Sequence, residues 1–145
     1  MREILFRGKT SNGEWVEGFY VCNRYSIGFA KEPVIYENHY IYAKRIDGEK
    51  WFKTIQVEVI PETVGQFTGL TDKNGKKIFE GDILQYIKYS EIKSEVSFDD
   101  GAFGFYYDRT HIVVAFSDSE EGVDAEDYEV IGNKWDNPEL LGENK

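Results

Sequence analysis

Apolar and polar residues alternate along much of this chain, the period-two signature of strands buried on one face and wet on the other. Residues 51–60 show it best, with Ile55, Val57 and Val59 on one side and Gln56 and Glu58 on the other. Residues 4–8 open as a strand and residues 15–21 return beside it. Between them lies Ser11-Asn12-Gly13, whose Asn-Gly pair suits a type I′ hairpin turn. Short β-like pieces follow at 27–30, 33–36 and 40–43, then a turn at Asp47-Gly48. Residues 61–68 are too glycine-interrupted for a full helix, but Pro61 suits the start of a single helical turn.

The second half predicts a cleaner β meander. Residues 83–89 form a strand, after which Ile92, Ser94, Val96 and Phe98 face one way and Lys93, Glu95 and Ser97 the other. Asp99-Asp100-Gly101 turns the chain into an aromatic strand at 103–107, and residues 112–116 are almost continuously apolar. Residues 128–132 supply a closing strand. Asn137 as N-cap and Pro138 at the next position start a last helical turn. Five short strands between Asp82 and Gly132 make a small barrel the economical arrangement, because closure removes exposed edges.

Between the halves lies a stretch that carries no strand pattern of its own. Gly69-Leu70-Thr71-Asp72-Lys73-Asn74-Gly75 and Glu80-Gly81-Asp82 hold two tight reversals around the short apolar step Ile78-Phe79. Glycine and asparagine accept positive φ at low cost, so Gly69, Asp72, Asn74, Gly75, Glu80, Gly81 and Asp82 form a structural turn motif.

Composition narrows the function classes. The 145 residues are 41% hydrophobic and 16% aromatic, enough for a packed core and too much for a disordered chain. A net charge of −10 repels the phosphate backbone, and the lysines at 73, 76, 77, 88 and 93 are interrupted by acids, so direct nucleic-acid binding is not expected. Cys22 is the only cysteine, which excludes an internal disulfide and fits a reducing cytoplasm. No signal peptide opens the sequence, and no apolar run approaches the roughly 20 residues of a membrane span.

Three pieces carry a resemblance. They are Arg2-Glu3-Ile4-Leu5-Phe6-Arg7; the run from Pro61-Glu62-Thr63-Val64-Gly65-Gln66-Phe67-Thr68 through Gly69-Leu70-Thr71-Asp72-Lys73-Asn74-Gly75-Lys76 to Ile78-Phe79-Glu80-Gly81-Asp82-Ile83; and Val130-Ile131-Gly132-Asn133 with Asn137-Pro138-Glu139-Leu140-Leu141. Together they resemble the YopX-like family of phage and prophage proteins. The resemblance implies a mainly β protein whose C-terminal part is similar to an SH3-like barrel. The expected division is an N-terminal β-rich unit over residues 1–68 and the barrel with its helical turn over 69–145, two tightly packed units or one domain. It implies a gene of phage or integrated elements in bacteria. The family has no established activity, so no catalytic role transfers. Residues 21–50 match no motif of the family.

Candidate chemistry is sparse. Glu80 and Asp82 could supply an acid/base pair, but short carboxylates in such turns ordinarily tie down backbone amides. His39 and His111 lie far apart and Cys22 stands alone, so no metal is expected. Asp72-Lys73-Asn74-Gly75 lacks the rest of a calcium loop, and Asp99-Asp100 with Asp108 is an incomplete ligand set. There is no nucleophile elbow and no phosphate loop, so neither an enzyme nor a bound cofactor is expected. In the aromatic strand, alternation sends Phe103, Phe105 and Tyr107 inward, leaving Tyr106 and Tyr86 as a candidate contact surface. The acidic loop holding Asp118, Glu120, Glu121, Asp124, Glu126 and Asp127 either solubilises the chain or imitates DNA phosphates toward a basic host protein. The expectation is a non-enzymatic, cytoplasmic interaction protein that binds itself or a protein partner. An acidic decoy and an uncharacterised small enzyme are the alternatives.

Overall fold

The computed structural model describes residues 3–28, 34–47, 51–99, 101–107, 112–116 and 125–142. They are mainly β: β1 (Phe6–Lys9), β2 (Trp15–Ile27), β3 (Val34–Asp47), β4 (Trp51–Glu58), β5 (Ile60–Thr71), β6 (Lys77–Phe79), β7 (Asp82–Tyr86), β8 (Lys93–Asp99), β9 (Ala102–Tyr107), β10 (Ile112–Ala115) and β11 (Tyr128–Asn133). Short 3₁₀ turns lie at Ala125–Asp127 and Pro138–Leu141. The chain divides into two compact units, Ile4–Gln66 and Met1–Glu3 with Phe67–Lys145.

In the first unit β4, β3, β2, β1 and β5 pair in that order, all antiparallel. The expected face of Ile55, Val57 and Val59 is the inner one: Val59 is buried, Ile55 and Val57 half-buried, and Gln56 and Glu58 exposed. Ile41, Ala43 and Val59 form the core, with Val16, Tyr20, Ile55 and Val64 packed against them. Gly18 is required by close packing, since a Cβ there would stand 2.2 Å from the Tyr42 carbonyl oxygen.

Three local expectations are corrected here. Residues 61–68 make no helical turn; they lie in β5. The pairing of β5 with β1 slips between Arg7 and Lys9, and Pro61, with no N–H to donate, falls in that slip. Thr63 closes it, accepting from the Lys9 amide at 2.8 Å and donating to the Ile60 carbonyl at 2.6 Å. The pieces expected at 27–30, 33–36 and 40–43 are instead parts of two long strands, β2 reaching Ile27 and β3 running unbroken from Val34 to Asp47, while residues 29–33 lie outside the described set. The single strand expected at 51–60 breaks after Glu58, where β4 ends.

In the second unit β6 pairs with the end of β5, and a five-stranded sheet runs in the order β10-β9-β8-β7-β11. This sheet is open. The expected closed barrel would need β10 paired to β11, and among the described residues these two strands are its edges. Ile78, Leu84, Val96, Phe105, Ala125, Tyr128 and Val130 form its core. Full burial of side chains such as Ile83, Leu84 and Val96, each 0% exposed, contributes about 1.5–3 kcal/mol apiece. Phe103 and Phe105 point inward as alternation requires, whereas Phe98, on the same face as buried Ser94 and Val96, reaches the rim and is half exposed. Asn137 precedes the last 3₁₀ turn without capping it by its side chain; its Oδ1 turns back to the Asn133 amide at 3.4 Å.

Candidate functional site

Among the described residues, exposed apolar side chains concentrate in the distal part of the β2–β3 hairpin. β1 accompanies β2 only from Trp15 to Gly18, and β4 accompanies β3 only from Tyr40 onward. Between those limits, β2 and β3 pair with each other alone, in unbroken register from Cys22↔His39 to Ile27↔Val34. A two-stranded ribbon has no third layer to cover either face, so its apolar side chains remain in water. Tyr25 is 46% exposed, Ile27 59%, Val34 57%, Ile35 59% and Tyr36 44%.

Register sorts these residues by face. Tyr25 opposite Tyr36 and Ile27 opposite Val34 share a face with Phe19 opposite Tyr42 and Val21 opposite Tyr40, an apolar stripe along the outer side of the hairpin interrupted by the polar pair Asn23 opposite Asn38. The Tyr25 and Tyr36 rings stack at 5.4 Å, and Phe19 is 60% exposed. The opposite face carries Arg24 against Glu37 at 2.7 Å and the Tyr20 hydroxyl against His39 Nδ1 at 2.6 Å. Burial, and then the neighbouring Cys22 and Glu37, push the Tyr20 phenol above its ordinary value, keeping it a neutral hydrogen-bonding group. Ile35, opposite Ser26, is exposed on this second face, so apolar side chains of the ribbon meet solvent on both sides.

The turn motif is built in the opposite way. Asp72 is 3% exposed; its Oδ1 accepts from the amides of Asn74 at 2.8 Å and Lys76 at 2.9 Å, and its Oδ2 from the amide of Val130 at 3.0 Å. Burial pushes this carboxyl up, but those three amides together with the Lys76 ammonium outweigh it, and the pKa lies below the ordinary value. Around it, the Lys73 amide donates to the Tyr128 carbonyl at 3.1 Å, and Lys73 pairs with Glu129 at 2.7 Å. That ammonium, together with the Asn74 side-chain amide, holds the Glu129 carboxyl below its ordinary value. The whole reversal is therefore fastened to β11.

Asp82 is 1% exposed and its Oδ2 accepts from the Phe79 amide at 2.8 Å. Gly69, Gly75 and Gly81 all have positive φ. Glu80 is half-buried at the second reversal. At Gly81 the backbone has φ 83° and the Trp135 ring lies where a Cβ would be, 2.2 Å from that position. Both aspartates serve backbone amides, the turn role that short carboxylates ordinarily take.

The remaining candidates are placed as follows. Tyr86 is half-buried, its ring 5.2 Å from Tyr128 and 5.7 Å from Tyr89. Tyr106 pairs with Val113 along the backbone, and its side chain lies outside the described residues, as does that of Tyr107. In the acidic loop, Asp118, Glu120, Glu121 and Asp124 also lie outside them, while Glu126 and Asp127 are exposed on the 3₁₀ turn before β11. An open depression of about 500 Å³ in the first unit is lined by Val16, Ala43, Ile55 and Val57 with Glu14, Glu17 and Lys44 at its rim. Among the described residues no three His, Cys, Asp or Glu side chains gather as metal ligands.

A profile of the family described as YopX protein matches residues 6–142, nearly the whole chain. The chain belongs to the YopX family. It is also similar to protein EF1440 from Enterococcus faecalis, whose crystal structure aligns with a TM-score of 0.52 at 27% identity, over 97% of this chain and 99% of that one. No curated protein matches it. No helix of the described residues is long and apolar enough to cross a membrane. Sequence reading of this YopX-family chain missed the ribbon. Its signals, alternating Tyr25 and Ile27 and the apolar Val34-Ile35-Tyr36, look like any half-buried strand until the absence of neighbours is seen.

Proposed function

We propose that this YopX-family chain is a non-enzymatic accessory protein of a phage or prophage, working in the bacterial cytoplasm by binding protein, a second copy or a partner. One observation carries this reading: Tyr25, Ile27, Val34, Ile35 and Tyr36 are exposed together on a ribbon that no other described strand covers. Exposed apolar groups in such a cluster mark association surfaces. Of the acid/base candidates Glu80 and Asp82, Asp82 is engaged with the Phe79 amide, which ranks a small enzyme lower. For an acidic decoy, Glu126 and Asp127 are exposed among the described residues of the loop. In the same reading the second unit is an SH3-like scaffold. In its favour, a meander whose last strand returns beside its first, entered through a 3₁₀ turn, has that connectivity without closure. Tyr86 and Tyr106 are then secondary contacts.

The test is light scattering on the purified chain combined with capture from host lysate. The variant Tyr25→Ser/Ile27→Ser/Val34→Ser serves as control. Association by the native chain that the variant loses supports the reading. A lone monomer that captures nothing overturns it.

A further inference from the structure

Among the described residues, the ribbon leaves a specific set of backbone groups without a partner strand. The Val59 amide donates to the His39 carbonyl at 3.0 Å, so His39 turns its carbonyl away from β2. Cys22↔His39 is therefore a non-hydrogen-bonded pair, and Cys22 turns its own N–H and C=O away from β3. By the two-residue period, Tyr20, Arg24 and Ser26 do the same. Beyond Gly18 no described strand meets that side of β2, and residues 22–27 are all exposed. The result is an open edge over residues 19–27, whose midpoint is Asn23.

We infer that two copies of this chain pair antiparallel through this β2 edge, centred on Asn23. The inference rests on the interaction reading above and names its occupant. The register closes on itself. Cys22 meets Arg24 of the second copy and Tyr20 meets Ser26, each an outward-facing residue against another, giving about eight backbone hydrogen bonds at two per pair. On the outer face Phe19 meets Ile27 and Val21 meets Tyr25, so apolar side chains of the two copies meet on either side of a central Asn23 pair. No like charges stand directly opposite, as a centre at Arg24 would require.

Charge also selects this place. The chain carries −10 overall, so two copies repel over most of their surface. The ribbon's described charges are Arg24 and Glu37, which neutralise each other at 2.7 Å. The other long edge, that of β4, carries exposed Lys53, Thr54, Gln56 and Glu58, side chains of the kind that discourage strand addition. The open part of β2, residues 19–27, has one charge, Arg24, and an apolar flank.

The experiment uses the full chain in a Cys22→Ser background with Asn23→Cys. Facing residues of a non-hydrogen-bonded pair lie about 4.5 Å apart, within disulfide reach. Mild oxidation should convert most of Asn23→Cys to a disulfide dimer, whereas Thr54→Cys on β4 should stay monomeric on a non-reducing gel. Ser26→Pro removes an outward N–H while leaving the β2–β3 ladder intact, and should weaken self-association at least tenfold in sedimentation. Its β-rich circular dichroism should be retained. A chain that associates but neither cross-links at Asn23→Cys nor responds to Ser26→Pro overturns the β2 pairing and leaves the interaction reading standing. A monomer at all concentrations also overturns it; the broader reading then falls only if partner capture fails as well.

Discussion

Two regions of this chain use similar short-range ingredients to opposite ends. The reversal at residues 72–82 and the ribbon at residues 22–27 and 34–39 both mix turn or strand formers with charges. In the reversal, polar groups go inside: Asp72 is buried and spends both oxygens on amides, one of them 58 positions away in sequence. In the ribbon, apolar groups stay outside and polar pairs such as Arg24 with Glu37 lie across the strands. A buried carboxylate with several amide donors locks a backbone, because leaving those donors unpaired is far worse than leaving them in water. An exposed apolar pair locks nothing until something covers it. The first region is thus read as structure and the second as surface.

That contrast makes graded predictions. Asp72→Ala should give the largest effect, about 3 kcal/mol off the urea unfolding free energy, because it orphans the buried Val130 amide along with two turn amides. A loss below about 1 kcal/mol would break the contrast. Gly81→Ala should follow at about 2 kcal/mol, from positive φ and from displacing the Trp135 ring. In a double-mutant cycle, Trp135→Ala should relieve part of the penalty, and full additivity would exclude the ring as its cause.

Acid sharpens the picture further. The Asp72 pKa is depressed in the folded state, so its contribution is fully present above the unfolded value near about 3.9 and is lost as pH falls through the folded value. The stability gap between the native chain and Asp72→Asn should therefore be steady at neutral pH and shrink as the pH is lowered below the unfolded value. A gap independent of pH would mean that the carboxylate charge is not what binds the amides. The smallest effect belongs to the ribbon. Ile27→Ser or Val34→Ser, measured at a dilution that suppresses association, should change stability by less than about 0.5 kcal/mol. Larger losses in dilute solution would show that these side chains are part of a folded core.

Much of this was legible in the sequence. Alternation alone assigned Ile55, Val57 and Val59 to one face and sent Phe103 and Phe105 inward, because a strand's side chains must alternate whatever lies beside it. The Asp, Asn and Gly cluster at 72–75 announced a turn, since its chemistry is local: Asp72 accepts from amides two and four residues on. The tertiary structure alone decided what lies beside each strand. It extended β2 and β3 past their neighbours, left the sheet of β7–β11 open, carried the third Asp72 bond to Val130, and drew Pro61 into a strand at a slipped register. Each of these depends on partners distant in sequence, and a period of two reads the same whether the apolar face meets a core or open water.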